Sequence, residues 1–170
     1  MVCKEESVEL KQHLDARWIF VGLYLLAFVI YLVIGLQPAD ATSYEVSAKL
    51  LIPQIGLDTA VTDLTLDEGQ LNTPEMIVGS YSQAKNKTLL IGHSSTVFQD
   101  LDQIDLGDLI NYDGKDYKVK RIDLMRKSQI DMSELLAPAE KDTIVIMTCA
   151  GELFQNGDAT HRLILTAVKL

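Results

Sequence analysis

Thr143-Ile-Val-Ile-Met-Thr-Cys149 is a β-branched, apolar run that ends on a thiol. It reads as a buried strand, which carries Cys149 to a strand end. The chain has one other cysteine, Cys3, which lies before a candidate membrane segment. That membrane would separate the two thiols, so they are not expected to pair. An exported domain with one unpaired cysteine keeps a reactive group in an oxidising place, and nucleophilic chemistry is the expected reason.

Working outward, Arg162–Val168 reads as the strand after Cys149, across a polar, Gly-containing loop at 150–161. Upstream, Lys49–Pro53 and Thr59–Val61 read as short strands joined by a turn at Gly56. Thr88–Ile91 is another strand and leads straight into Gly92-His93. Apolar residues at Phe98, Leu101 and Ile104 are spaced by three, as in a short helix or 3₁₀ turns. After a turn at 106–108, Leu109–Tyr112 and Tyr117–Met125 form a hairpin around Asp113-Gly114. Asp131, with Glu134 three residues on, marks a helical start that Pro138 would end. Many short strands with little helix predict an all-β barrel or sandwich.

Residues Trp18 to Leu36 contain no formal charge and are rich in Leu, Ile, Val, Phe and Tyr. Roughly 20 such residues cross a bilayer core, so 18–36 is predicted to be a transmembrane anchor. Lys4, Lys11 and Arg17 precede it and only Lys49 closely follows, which puts the N-terminus in the cytoplasm and the rest outside. A cleaved signal peptide is the competing reading, but the run exceeds a signal core of roughly 7–15 residues. The predicted organisation is a cytoplasmic tail 1–17, the anchor 18–36, a linker 37–46 and one β domain 47–170.

From Pro38 onward, 12 Lys and Arg stand against 20 Asp and Glu, a formal charge of −8. Such a domain repels nucleic acid and anionic lipid surfaces, so no nucleic-acid partner is expected. Its size suits a single domain with one core.

A thiol of ordinary pKa is mostly protonated at neutral pH, and the thiolate is the nucleophile. A neighbouring imidazole can take its proton. His93, at the end of an apolar strand, is the candidate. Acyl transfer also builds negative charge on a carbonyl oxygen, which a fixed cation stabilises. Arg162 begins the strand after Cys149 and can face it across a hairpin; its planar fork stays charged and donates several hydrogen bonds. Each residue also has a plainer role open to it: a core thiol, a structural imidazole, a surface ion-pair partner.

Taken together, these segments resemble the sortases, membrane-anchored cysteine transpeptidases of bacterial surfaces. Leu51-Ile-Pro-Gln-Ile-Gly-Leu57 resembles that family's opening strand, and Ile91-Gly-His-Ser-Ser95 the segment with its catalytic histidine. The spacing from Phe98 through Leu101, Ile104 and Gly107-Asp108 follows as it does there. Ile146-Met-Thr-Cys149 matches the family's Thr-Leu-x-Thr-Cys signature at its final Thr-Cys, and Arg162 stands at the arginine position. Val145 and Ile146 replace the signature's first Thr and Leu, a packing change away from the chemistry.

The resemblance implies an eight-stranded β-barrel with short helices, preceded by the transmembrane helix. It implies catalytic roles for His93, Cys149 and Arg162; no cofactor is expected, although some sortases bind calcium through acidic loops. Cys149 would attack the Thr–Gly bond of a Leu-Pro-x-Thr-Gly sorting signal on a secreted protein, leaving a thioester. An amine, from a peptidoglycan precursor or a pilin lysine, would resolve it. The short linker leaves no room for a lid segment, and no membrane helix follows the last strand, which favours a general surface-anchoring type.

Asp100, Asp102, Asp105 and Asp108 cluster after the histidine, but without EF-hand spacing. Turn-capping carboxylates are the expectation, with calcium the lesser reading. Strand alternation sends His161 away from any groove that Arg162 faces. Two readings compete with the enzyme: a catalytically silent sortase-like barrel serving as a surface binding module, and an L,D-transpeptidase. The latter's Ser-His-Gly-Cys signature is missing, since Met147-Thr148 precedes Cys149.

Overall fold

Ile144, Ile146 and Leu165 belong to one apolar cluster, while their chain neighbours Val145 and Ile164 belong to another. Successive side chains of a strand point to opposite faces, so two clusters on alternate residues mean a sheet buried on both sides. That is why the run before Cys149 is apolar without interruption. The computed structural model describes residues 21–31, 44–67, 70–154 and 158–170.

The chain divides into two units, Met1–Ser43 and Tyr44–Leu170. In the first, residues 21–31 form a helix, α1, with exposed side chains. The predicted tail 1–17, the ends of the predicted anchor (18–20 and 32–36) and linker residues 37–43 lie outside the described residues. Among the described residues no helix is long and apolar enough to cross a membrane.

The second unit is a closed eight-stranded barrel, as the resemblance implies. Its strands are β1 (Val46–Ile52), β2 (Leu57–Asp63), β5 (Val78–Tyr81), β6 (Lys87–Ile91), β7 (Leu109–Tyr112), β8 (Lys115–Arg126), β9 (Thr143–Leu153) and β10 (Ala159–Lys169). They run in the order β1-β2-β5-β6-β9-β10-β8-β7, and β1 closes on β7. β2–β5 and β6–β9 are parallel pairs; the rest are antiparallel. A separate two-stranded ribbon, β3 (Leu66–Asp67) with β4 (Gln70–Leu71), lies in the connection from β2 to β5. The connection between β8 and β9 carries one helical turn, α2 (Met132–Leu135).

Leu50, Ile52, Val61, Leu90, Ile110, Val119, Ile146 and Leu165 form the main core of the barrel together with Phe98 and Leu101. Each such side chain contributes roughly 1.5–3 kcal/mol by leaving water. A second cluster lies outside the barrel wall. Leu89, Val145 and Ile164 face outward there, covered by Ile130, Leu135 and Leu136 from the β8–β9 connection.

Most predicted strands are present at their predicted places. The Gly56 turn ends a short 3₁₀ segment with φ 62°, and the Asp113-Gly114 hairpin turn takes positive φ at both residues. Asp131 caps α2 by accepting from the Ser133 backbone N–H at 2.8 Å. Two differences stand out. The predicted loop 150–161 is shorter, because β9 runs on to Leu153 and β10 starts at Ala159. Cys149 and Arg162, expected at a strand end and a strand start, therefore lie inside their strands, since the β9–β10 ladder continues past them. The predicted strands also omit β5, whose Val-Gly-Ser-Tyr sequence lacks an apolar run although all four residues are buried.

Candidate active site

Cys149 of β9 pairs directly with Arg162 of β10 in the antiparallel register. On the other side of β9 the parallel ladder with β6 runs to Ile91 opposite Met147, two residues short of His93 and of Cys149 respectively. The Gly92 N–H donates to the Met147 carbonyl at 3.4 Å, which extends that ladder by one step. Parity then decides the direction. Val145 and Met147, Leu89 and Ile91, and Ile164 all belong to the outer cluster. Cys149 and His93 follow these residues by two and Arg162 precedes Ile164 by two, so all three emerge on the same outer face.

All three residues line one cleft of about 490 Å³, together with Thr73, Tyr81, Ile91, Met147 and Thr148. Leu66 and Leu71 of the β3–β4 ribbon form one wall, and Met132 and Leu136 from α2 and its end form another. Cys149 is partly exposed and has no disulfide partner among the described residues. Thiol, imidazole and guanidinium are therefore brought together in a solvent-reachable, mainly apolar groove.

Local contacts hold the histidine segment. The His93 carbonyl accepts from the backbone N–H groups of Thr96 and Phe98 at 3.3 and 3.0 Å, which curls the chain straight after the strand. Gly92 lacks a side chain for a steric reason: a Cβ there would stand 2.6 Å from Val97 Cγ2 and 2.7 Å from Phe98 Cδ2. His93 Nε2 lies 3.4 Å from the Thr73 carbonyl oxygen. A carbonyl only accepts, so this contact requires the proton on Nε2.

Arg162 is held more tightly. Its side chain is 14% exposed, and Nη2 donates to Asp158 Oδ1 at 2.7 Å. Nη1 donates to the carbonyls of Ala159 and His161 at 3.0 and 2.9 Å. Asp158 also accepts from Lys127 Nζ. Lys127 first, and Arg162 after it, hold the Asp158 carboxyl well below the ordinary carboxylate range.

His161 faces away, as alternation requires: it lines a different cavity with Arg126, Glu152 and Phe154. In the aspartate cluster, Asp108 Oδ2 accepts from the Asp105 N–H at 2.9 Å and Asp100 Oδ1 from Gln103 Nε2 at 2.8 Å, so two of these carboxylates serve local turns. Among the described residues no group of three or more His, Cys, Asp or Glu is arranged to hold a metal ion.

Asp158, Thr73 and the ribbon leucines are absent from the sequence-derived site. The one available signal was the Asp158–Arg162 spacing of four, which is common and weak by itself. Leu66, Leu71 and Thr73 reach the cleft only because the β2–β5 connection folds back over the barrel wall.

A family model, Sortase domain, matches residues 50–170. Among solved structures the chain is similar to the lid mutant of sortase A from Corynebacterium diphtheriae, with TM-score 0.58 and 24% identity over 77% of this chain and 73% of that one. It is similar to sortase C-1 from Actinomyces oris, with TM-score 0.56 and 20% identity over 79% and 82%. A Clostridium perfringens sortase D5 transpeptidase gives TM-score 0.55 and 20% identity over 74% and 79%. No curated protein matches the chain significantly.

Proposed function

The protein belongs to the sortase family and is thus a transpeptidase of that family; on this footing we propose a cysteine-thioester mechanism run by Cys149, His93 and Arg162. The observation that carries it is the Cys149–Arg162 cross-strand pair, with His93 on the neighbouring strand's extension, all lining one apolar cleft.

The Cys149 thiolate attacks the scissile carbonyl of a bound sorting signal of the Leu-Pro-x-Thr-Gly type, between Thr and Gly. Negative charge builds on the carbonyl oxygen, and Arg162 stabilises it with N–H donors and its positive charge. His93, in its imidazolium form, gives its proton to the departing glycine nitrogen, so the C–N bond breaks and a thioester remains. Neutral His93 then takes a proton from an incoming amine, which attacks the thioester. A new amide forms and the Cys149 thiolate leaves. Apolar walls from Leu66, Leu71, Leu136 and Met147 suit the leucine and proline of the signal and exclude water from the thioester.

The acceptor is an amine at the cell surface, such as a peptidoglycan precursor or a pilin lysine. Residues 18–36 anchor the chain in the cell membrane, with the N-terminus in the cytoplasm and the barrel outside. No cofactor enters the scheme.

The test is incubation of the full chain, in detergent, with a labelled Leu-Pro-x-Thr-Gly peptide, followed by intact mass. Wild type should gain a hydroxylamine-sensitive adduct, Cys149→Ala none, and His93→Ala far less than wild type. Equal processing by Cys149→Ala overturns the mechanism. Peptide that binds but is never cleaved by wild type supports the silent binding barrel instead. Membrane residence of the full chain, lost when 18–36 are deleted, checks the anchor.

A further inference from the structure

Arg162 has five N–H donors by its chemistry, and three of them are already committed: two on Nη1 to the carbonyls of Ala159 and His161, one on Nη2 to Asp158. The N–H of Nε and one on Nη2 are in no such bond, and Arg162 lines the cleft. We infer that Asp158 is a positioning residue for Arg162: it fixes the guanidinium so that these two donors meet the carbonyl oxygen as charge develops there. The inference rests on the transpeptidase reading of the site.

Asp158 is itself clamped. Its Oδ1 takes Arg162 Nη2 at 2.7 Å and the Ala159 N–H at 2.9 Å, while Oδ2 takes Lys127 Nζ at 2.5 Å. Lys127 follows β8 directly and Asp158 directly precedes β10, so one carboxylate ties the ends of two paired strands to the cation beside Cys149. An exposed Lys–Asp pair alone contributes little. The Arg162 side of the network is different, because that side chain is 14% exposed and screening by water is weak there. A long arginine side chain otherwise loses rotamer freedom each time it meets the reacting group. Held in advance, it stabilises the transition state without that reorganisation. The opposite arrangement, in which Asp158 withdraws Arg162 from the cleft until substrate arrives, predicts the opposite sign and is separable.

The test compares wild type, Asp158→Asn and Asp158→Glu as full chains in detergent micelles, with Asp158→Ser replacing the amide variant if that does not fold. Peptide cleavage gives kcat and KM, and nitrogen-15 NMR of the arginine side chains reports whether the Arg162 guanidinium is rotationally held. Asp158→Asn should lower kcat about tenfold, less than outright loss of an oxyanion donor, while KM changes less than about twofold. Asp158→Glu should recover part of kcat. The separate Nη signals of a held Arg162 should merge in Asp158→Asn. Unchanged Arg162 signals in Asp158→Asn, or unchanged or increased kcat, would overturn the inference. If wild type cleaves no peptide, the transpeptidase reading fails alone, and the Arg162 signals decide the positioning role.

Discussion

The Thr148 hydroxyl donates to the Gly92 carbonyl at 2.8 Å, from a side chain only 4% exposed. Thr148 precedes Cys149 and Gly92 precedes His93, so this buried side-chain hydrogen bond joins the segments that carry thiol and imidazole. It spans 56 positions of sequence. Thr148 is buried against the neighbouring segment, whereas its chain neighbour Cys149 is partly exposed.

Replacing Thr148 by Val keeps the shape and removes the donor. Stability should fall by about 1–3 kcal/mol, the usual cost of stranding a buried acceptor. Thioester formation should fall further than the unfolded fraction explains, since the His93 segment loses its side-chain tie to β9 and keeps only the longer Gly92 N–H bond to the Met147 carbonyl. Urea unfolding alongside single-turnover adduct formation measures both. Activity loss that merely tracks unfolding would mean the bond is structural alone.

Gly92→Ala tests the close approach beneath His93. The added methyl meets Val97 and Phe98 at 2.6–2.7 Å, and Phe98 is 1% exposed. Overpacking of this kind costs about 1–3 kcal/mol. Thermal unfolding should show a clearly lower Tm, and an unchanged Tm would mean that the Phe98 ring has room to shift.

Acid should weaken the Asp158 network. Asp158 titrates lower in the folded chain than its ordinary 3.8, chiefly because of Lys127 and then Arg162. Its ion pairs therefore stabilise the fold above that ordinary value and are lost as pH falls toward the lower folded value. The Tm difference between wild type and Asp158→Asn should be largest near neutral pH and should narrow from about pH 5 to about pH 2. A constant gap across that range would exclude the ionised carboxylate as its source.

Cys149 is partly exposed on a cleft wall, so a methanethiosulfonate reagent should reach it. Complete labelling at Cys149 should abolish peptide processing, and reduction should restore it. Full turnover by the labelled protein would remove the thiol from the mechanism.

Strand periodicity was legible without coordinates where one residue type dominates. The β9 run, the β7–β8 hairpin around Asp113-Gly114 and the β1–β2 turn at Gly56 all lie where their local chemistry puts them. β5 was not legible, because Val78-Gly-Ser-Tyr81 has no alternation and is buried by its neighbours alone. His93, Cys149 and Arg162 stood out as residue types able to do the chemistry, although Cys149 and Arg162 lie within β9 and β10 and not at their ends, whereas Asp158 and Thr73 did not stand out. A carboxylate four positions from an arginine and a backbone carbonyl are both too common to mark a site.

Composition and the order of apolar runs determined that this chain makes an all-β domain and that Cys149 and Arg162 lie on strands with His93 just past one. Both follow from local forces: β-branched side chains favour extended backbone, and polar, Gly-containing stretches interrupt it. Only the closed barrel decided that β6, β9 and β10 lie side by side, that parity turns all three groups to the outer face, and which connections cover them. Strand pairing couples residues far apart in sequence, and one step of register would send any of these side chains to the opposite face.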